Sequence, residues 1–134
     1  MNNGCVFCDI VAAKIPSWIV YENKQVICFL PNKLEVYGHT LIAPKAHYQD
    51  IYTVPQDLLE SIIVTAKKLA IHYQNQIGST GMNLLHASGI AAQQSVFHFH
   101  IHLIPRFNND GLDTWPALPQ SQYDKDEICT KLRL

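Results

Sequence analysis

The chain has 134 residues and a mass of 15.2 kDa, with 48% hydrophobic residues, enough for one globular domain over 1–134 with one core and too little for two. Its 10 basic and 11 acidic residues give a formal charge of −1, so no field exists to attract long nucleic acid or an anionic membrane, and any phosphate must be bound locally. No apolar run approaches the ~20 residues of a membrane span, and MNNGCVFCDI lacks the charged start and apolar middle of a secretory signal, which points to a cytoplasmic protein.

In a reducing compartment Cys5, Cys8, Cys28 and Cys129 stay as thiols, and a close pair then points to metal or redox chemistry before a disulfide. The two-residue gap of Cys5-Val-Phe-Cys8 lets both thiolates reach one tetrahedral zinc, which needs two more ligands. A thioredoxin-like motif would follow a strand, and only four residues precede Cys5. A pair of unliganded structural cysteines is the plain alternative.

CDIVAAKIP predicts one or two helical turns, stopped by Pro16. WIVYE and QVICFL, rich in β-branched and aromatic residues, meet at Asn23-Lys24 and predict a hairpin. HTLIAP is a third strand. From Pro55 to about Ile77 the apolar residues Leu58, Leu59, Ile62, Ile63, Ala66, Leu69, Ala70 and Tyr73 recur at helical spacing, with Gly78 as the stop. GMNLLHA gives a fourth strand and VFHFHIHLI a fifth. The tail from Asn108 onward is polar, holds Pro116 and Pro119, and reads as loop or partner-dependent structure. Strands gathered around one long helix and one short N-terminal helix, without regular βαβ alternation, predict an α+β domain with an antiparallel sheet of about five strands.

The fifth strand carries three of the seven histidines at two-residue spacing. Residues two apart on a strand share a face at roughly 6.5–7 Å, which sets His98, His100 and His102 on one side and Phe97, Phe99, Ile101 and Leu103 on the other. Such a row offers metal ligation, proton transfer near neutral pH, or nucleophilic attack on phosphorus. Its ends lie roughly 13 Å apart on a strand, so the three do not easily share one ion.

CVFCDIVAAKIPSWIVYE, GHTLIAPKAH and QSVFHFHIHLIPR, in this order and at this spacing over residues 5–107, resemble the histidine-triad (HIT) superfamily of nucleotide-binding hydrolases and transferases, in particular its small bacterial-type members with an N-terminal Cys pair. The resemblance implies a structural zinc on Cys5, Cys8, His47 and His98. It implies that His100 is the nucleophile, attacking an α-phosphate to leave a nucleotidyl-imidazole that water resolves, while His102 and Ser95 donate to phosphate oxygens. His39 matches a position close to the catalytic histidines, and Gln94 one beside the phosphate loop. Ile10, Phe29 and Leu41 match the apolar pocket for the base. Relatives of this size pair as homodimers.

Three departures fall in the implied substrate site. Pro31 stands where relatives usually carry Asp or Asn for the ribose hydroxyls, with Asn32 as the neighbouring substitute. Ala87 stands where they carry an amide side chain, and Gln93 where they carry glycine. His72 and His86 match no family role. The implied activity is hydrolysis of a nucleoside phosphoramidate, an acyl nucleotide or a dinucleotide polyphosphate. A zinc-stabilised nucleotide- or partner-binding module with little catalysis is the alternative from another class. A nucleotidylyltransferase is disfavoured by the short chain.

Overall fold

The computed structural model describes residues 4–33 and 36–134. Its first element, α1 (Val6–Val11), begins at Cys5, whose sulfur accepts the Cys8 N–H at 3.5 Å. The helix ends well before Pro16, because Ala13 takes a left-handed φ of 55° and turns the chain. The hairpin β1 (Ile19–Glu22) and β2 (Val26–Phe29) closes at the expected place. The Asn23 side-chain oxygen accepts the N–H groups of Gln25 and Val26, both at 2.8 Å, a local bond that asparagine favours in turns.

With β3 (Thr40–Pro44), β4 (Gly81–Leu85) and β5 (Ile101–Arg106) these strands form one antiparallel sheet in the order β1-β2-β3-β5-β4. The expected α+β class with five strands is therefore present. β2 and β3 are buried at every position, as strands covered on both faces must be, so they read as unbroken apolar runs. On one face Val26, Cys28, Ile42, Ile101 and Leu103 pack under Leu58, Ile62, Ala66, Leu69 and Tyr73 of α2 (Gln56–Ile77), the main core. On the other, Ile27, Phe29, Leu41 and Ala43 meet Phe7 of α1. Helix α2 starts from Pro55 and stops at Gly78, whose φ of 69° suits glycine. A buried bond of 2.6 Å between the hydroxyls of Thr40 and Tyr73 fastens sheet to helix.

Two expectations need correction. The histidine strand is shorter than the alternation implies: β5 begins only at Ile101, and the chain from Gln94 to His100 runs outside the ladder, with Phe99 N–H bonded to the Tyr48 carbonyl at 2.6 Å. The tail is not all loop, since α3 (Lys125–Leu132) forms there. No residue of α3 is buried, so it lacks the apolar stripe that periodicity detects. Its stability is local: the Asp124 carboxylate caps the Glu127 N–H at 3.0 Å, and Lys131 pairs with Glu127 at 2.9 Å.

The tail is joined to the sheet by Arg106. Its guanidinium makes five bonds: two to the Asp110 carboxylate at 2.8 and 2.9 Å, and others to Asn83 Oδ1, Thr114 Oγ1 and the Leu112 carbonyl. Every donor of the group is thus used. Arg106 bonds to Asp110, together with the backbone N–H groups of Leu112 and Phe107, hold the Asp110 carboxyl well below the usual carboxylate range. Gly38 has a φ of 80°, and an added Cβ would lie 2.9 Å from Pro105 Cγ and 3.2 Å from Ile77 Cδ1.

Gly38→Ala is accordingly expected to cost about 2 kcal/mol through left-handed backbone strain and overpacking, read as a lower midpoint in urea denaturation. For Asp110, the folded-state pKa lies below the unfolded one, so the unfolded chain binds more protons in the intervening range and stability is lost there as the pH falls. The gap in Tm between the wild type and Asp110→Asn should stay constant from pH 8 to about 5 and shrink below about 4. A gap that widens on acidification would contradict this.

Candidate functional site

Helix α1 brings two sulfurs to one point because Cys5 caps it and Cys8 lies one turn later. Two imidazoles meet them there: His47 from the loop after β3, and His98 from the segment before β5. The four ligand atoms all lie within 4.8 Å of one another. His98 Nδ1 is 3.4 Å from Cys5 Sγ and 3.6 Å from Cys8 Sγ, His47 Nδ1 is 3.4 Å from Cys8 Sγ, and the two Nδ1 atoms are 3.2 Å apart. A tetrahedral zinc with ordinary Zn–S and Zn–N bonds requires roughly 3.5 Å between sulfur and nitrogen and roughly 3.3 Å between nitrogens. The donor set fits that ion.

The ligand chemistry fits as well. His98 Nε2–H donates to the Pro44 carbonyl at 2.8 Å, which leaves the Nδ1 lone pair facing the sulfurs and orients the ring. Burial first, against the help of that carbonyl, pushes the His98 pKa down to about 4, so the ring is neutral at pH 7. Burial also raises the Cys5 thiol, and a cation is what would hold both sulfurs as thiolates.

The remaining triad residues stand on the α1 face of the sheet. His100 Nδ1–H donates to the carbonyl of His98 at 2.7 Å, so Nε2 carries the free lone pair. Burial lowers the His100 pKa and keeps the ring neutral. Burial, followed by the neighbouring His100 and His39, brings the His102 pKa down to about 4. His102 Nδ1 lies 2.9 Å from His39 Nε2, one nitrogen donating and the other accepting. His39 is thereby joined to His102. The His100 and His102 rings are 5.0 Å apart.

The other expected residues divide. Phe29, Leu41 and Ile10 come together in one apolar cluster. Gln94 is buried, and its amide is fully engaged by backbone: Gly89 N–H at 2.8 Å, and the carbonyls of Gln49 at 2.7 Å and Val96 at 3.1 Å. That side chain shapes the loop from within. Ser95 is exposed and opens on a pocket shared with Gly4, Cys5 and His47. Asn32 is exposed beside Pro16 and Trp18. Gln93 has a φ of 67°, the conformation that glycine takes without strain.

Sequence reasoning missed Phe7. Its ring meets those of His98, His100 and Phe29 edge-on, with centroids at 5.6, 5.0 and 5.1 Å. Phe7 and Ile10 are three apart on α1, a helical spacing that marks one face. Missed too was His86, whose Nδ1 lies 2.8 Å from the His100 carbonyl and whose Nε2 lies 2.6 Å from Ser88 Oγ.

Residues 12–109 match the HIT domain family. "Protein hit" of Bacillus subtilis is 39% identical over 104 residues, 78% of this chain and 72% of the relative. Adenylylsulfatase HINT3 of Arabidopsis thaliana is 32% identical over 132 residues, 98% of this chain and 67% of the relative. Among solved structures, a zinc-bound histidine triad family protein from Mycobacterium smegmatis superposes with a TM-score of 0.79 at 32% identity, covering 83% of this chain and 81% of that one. With the three spaced histidines in place at the start of β5 and just before it, and with sequence and fold matched together, this chain belongs to the HIT family.

Proposed function

We propose that the protein is a nucleotide-binding hydrolase that cleaves at the α-phosphate of a nucleoside phosphoramidate, an acyl nucleotide or a dinucleotide polyphosphate. The observation that carries this reading is the state of His100. A carbonyl can only accept, so the bond from Nδ1 to His98 leaves Nε2 unprotonated in a neutral imidazole. That is the nucleophile the reaction needs. Nε2 forms a bond to the α-phosphorus as the bond to the leaving group breaks. The leaving group takes a proton drawn from solvent and relayed through the His102–His39 pair, and the attacking water of the second step gives its proton back by the same route. Water then attacks the phosphorus, regenerates Nε2 and releases the nucleoside monophosphate.

Neutral donors suit this site, because the chain has almost no net charge with which to hold an anion. The phosphate would be met by His102, Ser95 and backbone N–H groups of the loop that Gln94 secures from within. The base would lie against Ile10, Phe29 and Leu41, with Phe7 beside them, and Asn32 would take the ribose where Pro31 offers no donor. A relative named as an adenylylsulfatase supports a substrate whose leaving group is carried by an adenylyl phosphate.

Cys5, Cys8, His47 and His98 would hold a structural zinc, since four protein ligands close the coordination sphere and leave no position for substrate. When bound, the ion supplies a crosslink between the N-terminal arm and the triad segment. A homodimer in the cytoplasm completes the reading, and the exposed Ile63 and Ile71 of α2 with Leu84 of β4 leave apolar surface for a second copy.

The protein purified without chelator should carry about one zinc per chain. Elemental analysis finding less than about a tenth of an equivalent, unchanged after zinc is added, would remove the metal from this account. His100→Ala is expected to lose at least ~10³-fold in turnover of an adenosine phosphoramidate, while its affinity for AMP by calorimetry changes by less than about threefold, because a nucleophile acts on the chemical step. Turnover above a few per cent of wild type would rule out the covalent route, and equal inactivity of both proteins would favour a binding module.

A further inference from the structure

The nucleophile assigned above sits where the sheet stops holding its backbone. Pairing of β3 with β5 ends at Ile42 opposite Ile101, and pairing of β4 with β5 ends at Leu85 opposite His102. His100 therefore lies one residue beyond the β3 ladder and two beyond the β4 ladder, and its carbonyl needs a partner from elsewhere. His86, the residue that follows β4, supplies one.

We propose that His86 is a positioning residue: its imidazole replaces the missing rung of the β4–β5 ladder and fixes the backbone of the nucleophile from the face opposite the substrate. A carbonyl only accepts, so His86 Nδ1 carries the proton of the 2.8 Å bond to the His100 carbonyl. In the neutral ring Nε2 is then an acceptor, and Ser88 Oγ–H donates to it at 2.6 Å. Ser88 Oγ in turn accepts the Ile51 N–H at 2.9 Å. The hydrogen bonds thus run in one direction, from Ile51 N–H through Ser88 and His86 to the carbonyl. Each member polarises the next.

The ring is also held sideways, with its centroid 4.6 Å from that of Phe99 in a tilted stack. Phe99 is buried in the α2 core and its own N–H is bonded to Tyr48. His100 is therefore clamped in three ways. The Phe99 N–H holds the residue before it, His86 holds its carbonyl, and the His98 carbonyl holds its ring. Loss of the middle clamp lets the peptide rotate, and small displacements of a reacting atom are costly to rate while leaving binding contacts in place.

This inference rests on the hydrolase reading, and the test separates the two. His86→Ala and His86→Asn are compared with wild type, because an asparagine side-chain NH₂ can stand near the position of the imidazole Nδ1–H and restore the bond. With an adenosine phosphoramidate, His86→Ala is expected to lose about tenfold or more in kcat with KM changed less than about threefold. His86→Asn should recover to within about threefold of wild type. In parallel, the ¹³C shift of the His100 carbonyl should move upfield in His86→Ala and return in His86→Asn, a readout that needs no turnover. Turnover of His86→Ala within about twofold of wild type, a loss that asparagine does not rescue, or a carbonyl shift indifferent to both substitutions would each overturn the assignment. If wild type itself is no more active than His100→Ala, the hydrolase reading fails, and with it the catalytic role of His86, whereas the carbonyl shift still decides the contact.

Discussion

His98 connects the parts of this molecule that chemistry requires to stay together. One ring nitrogen faces two sulfurs and a second imidazole, the other is bonded to the carbonyl of Pro44 at the end of β3, and the peptide oxygen of the same residue receives the ring of His100. The cysteine–histidine cluster, the end of the central strand and the ring of the proposed nucleophile thus meet at one amino acid. Because the ring is wholly buried, displacing it would leave several polar groups unpaired at once, each costing on the order of 1–3 kcal/mol. The orientation of His100 follows from that constraint rather than from strand geometry, which has already ended.

The sheet divides the work between its faces. The α2 face is filled by aliphatic side chains and Phe99, and gives rigidity. The α1 face combines aromatic and aliphatic residues with the imidazoles, which burial holds neutral. Among the described residues, the imidazoles of this face offer an anion neutral hydrogen-bond donors. Discrimination between substrates then rests on donor geometry more than on attraction at a distance.

Much of this was legible in the sequence, and the reasons differ by element. The hairpin, the long helix and the antiparallel sheet followed from turn chemistry at Asn23 and from the 3.6-residue spacing of Leu58 through Tyr73. The alternation in VFHFHIHLI located the histidines correctly but overextended β5, because a strand pattern carries no mark of where its hydrogen-bond partners stop. The convergence of Cys5 and Cys8 with His47 came from resemblance, since nothing local in the Lys45–Ala46–His47 stretch distinguishes a ligand from a loop residue. His86 was invisible for a similar reason: its partner is known only after Leu85 is set opposite His102. Helix α3 escaped because it buries nothing, although Asp124 and Glu127 spelled its cap.

The four cysteines end in chemically separate environments. Cys5 and Cys8 point into the cluster with His47 and His98. Cys28 is sealed under α2 with no exposed surface, and burial pushes its pKa up to about 12, so it is closed to alkylating agents in the native state. Cys129, on the exposed helix of the tail, is open to solvent. With zinc masking Cys5 and Cys8 as proposed, a mild electrophile would place a fluorophore on α3 alone, far in sequence from the histidines, while labelling of a second site would report release of the N-terminal arm and of a third the opening of the core.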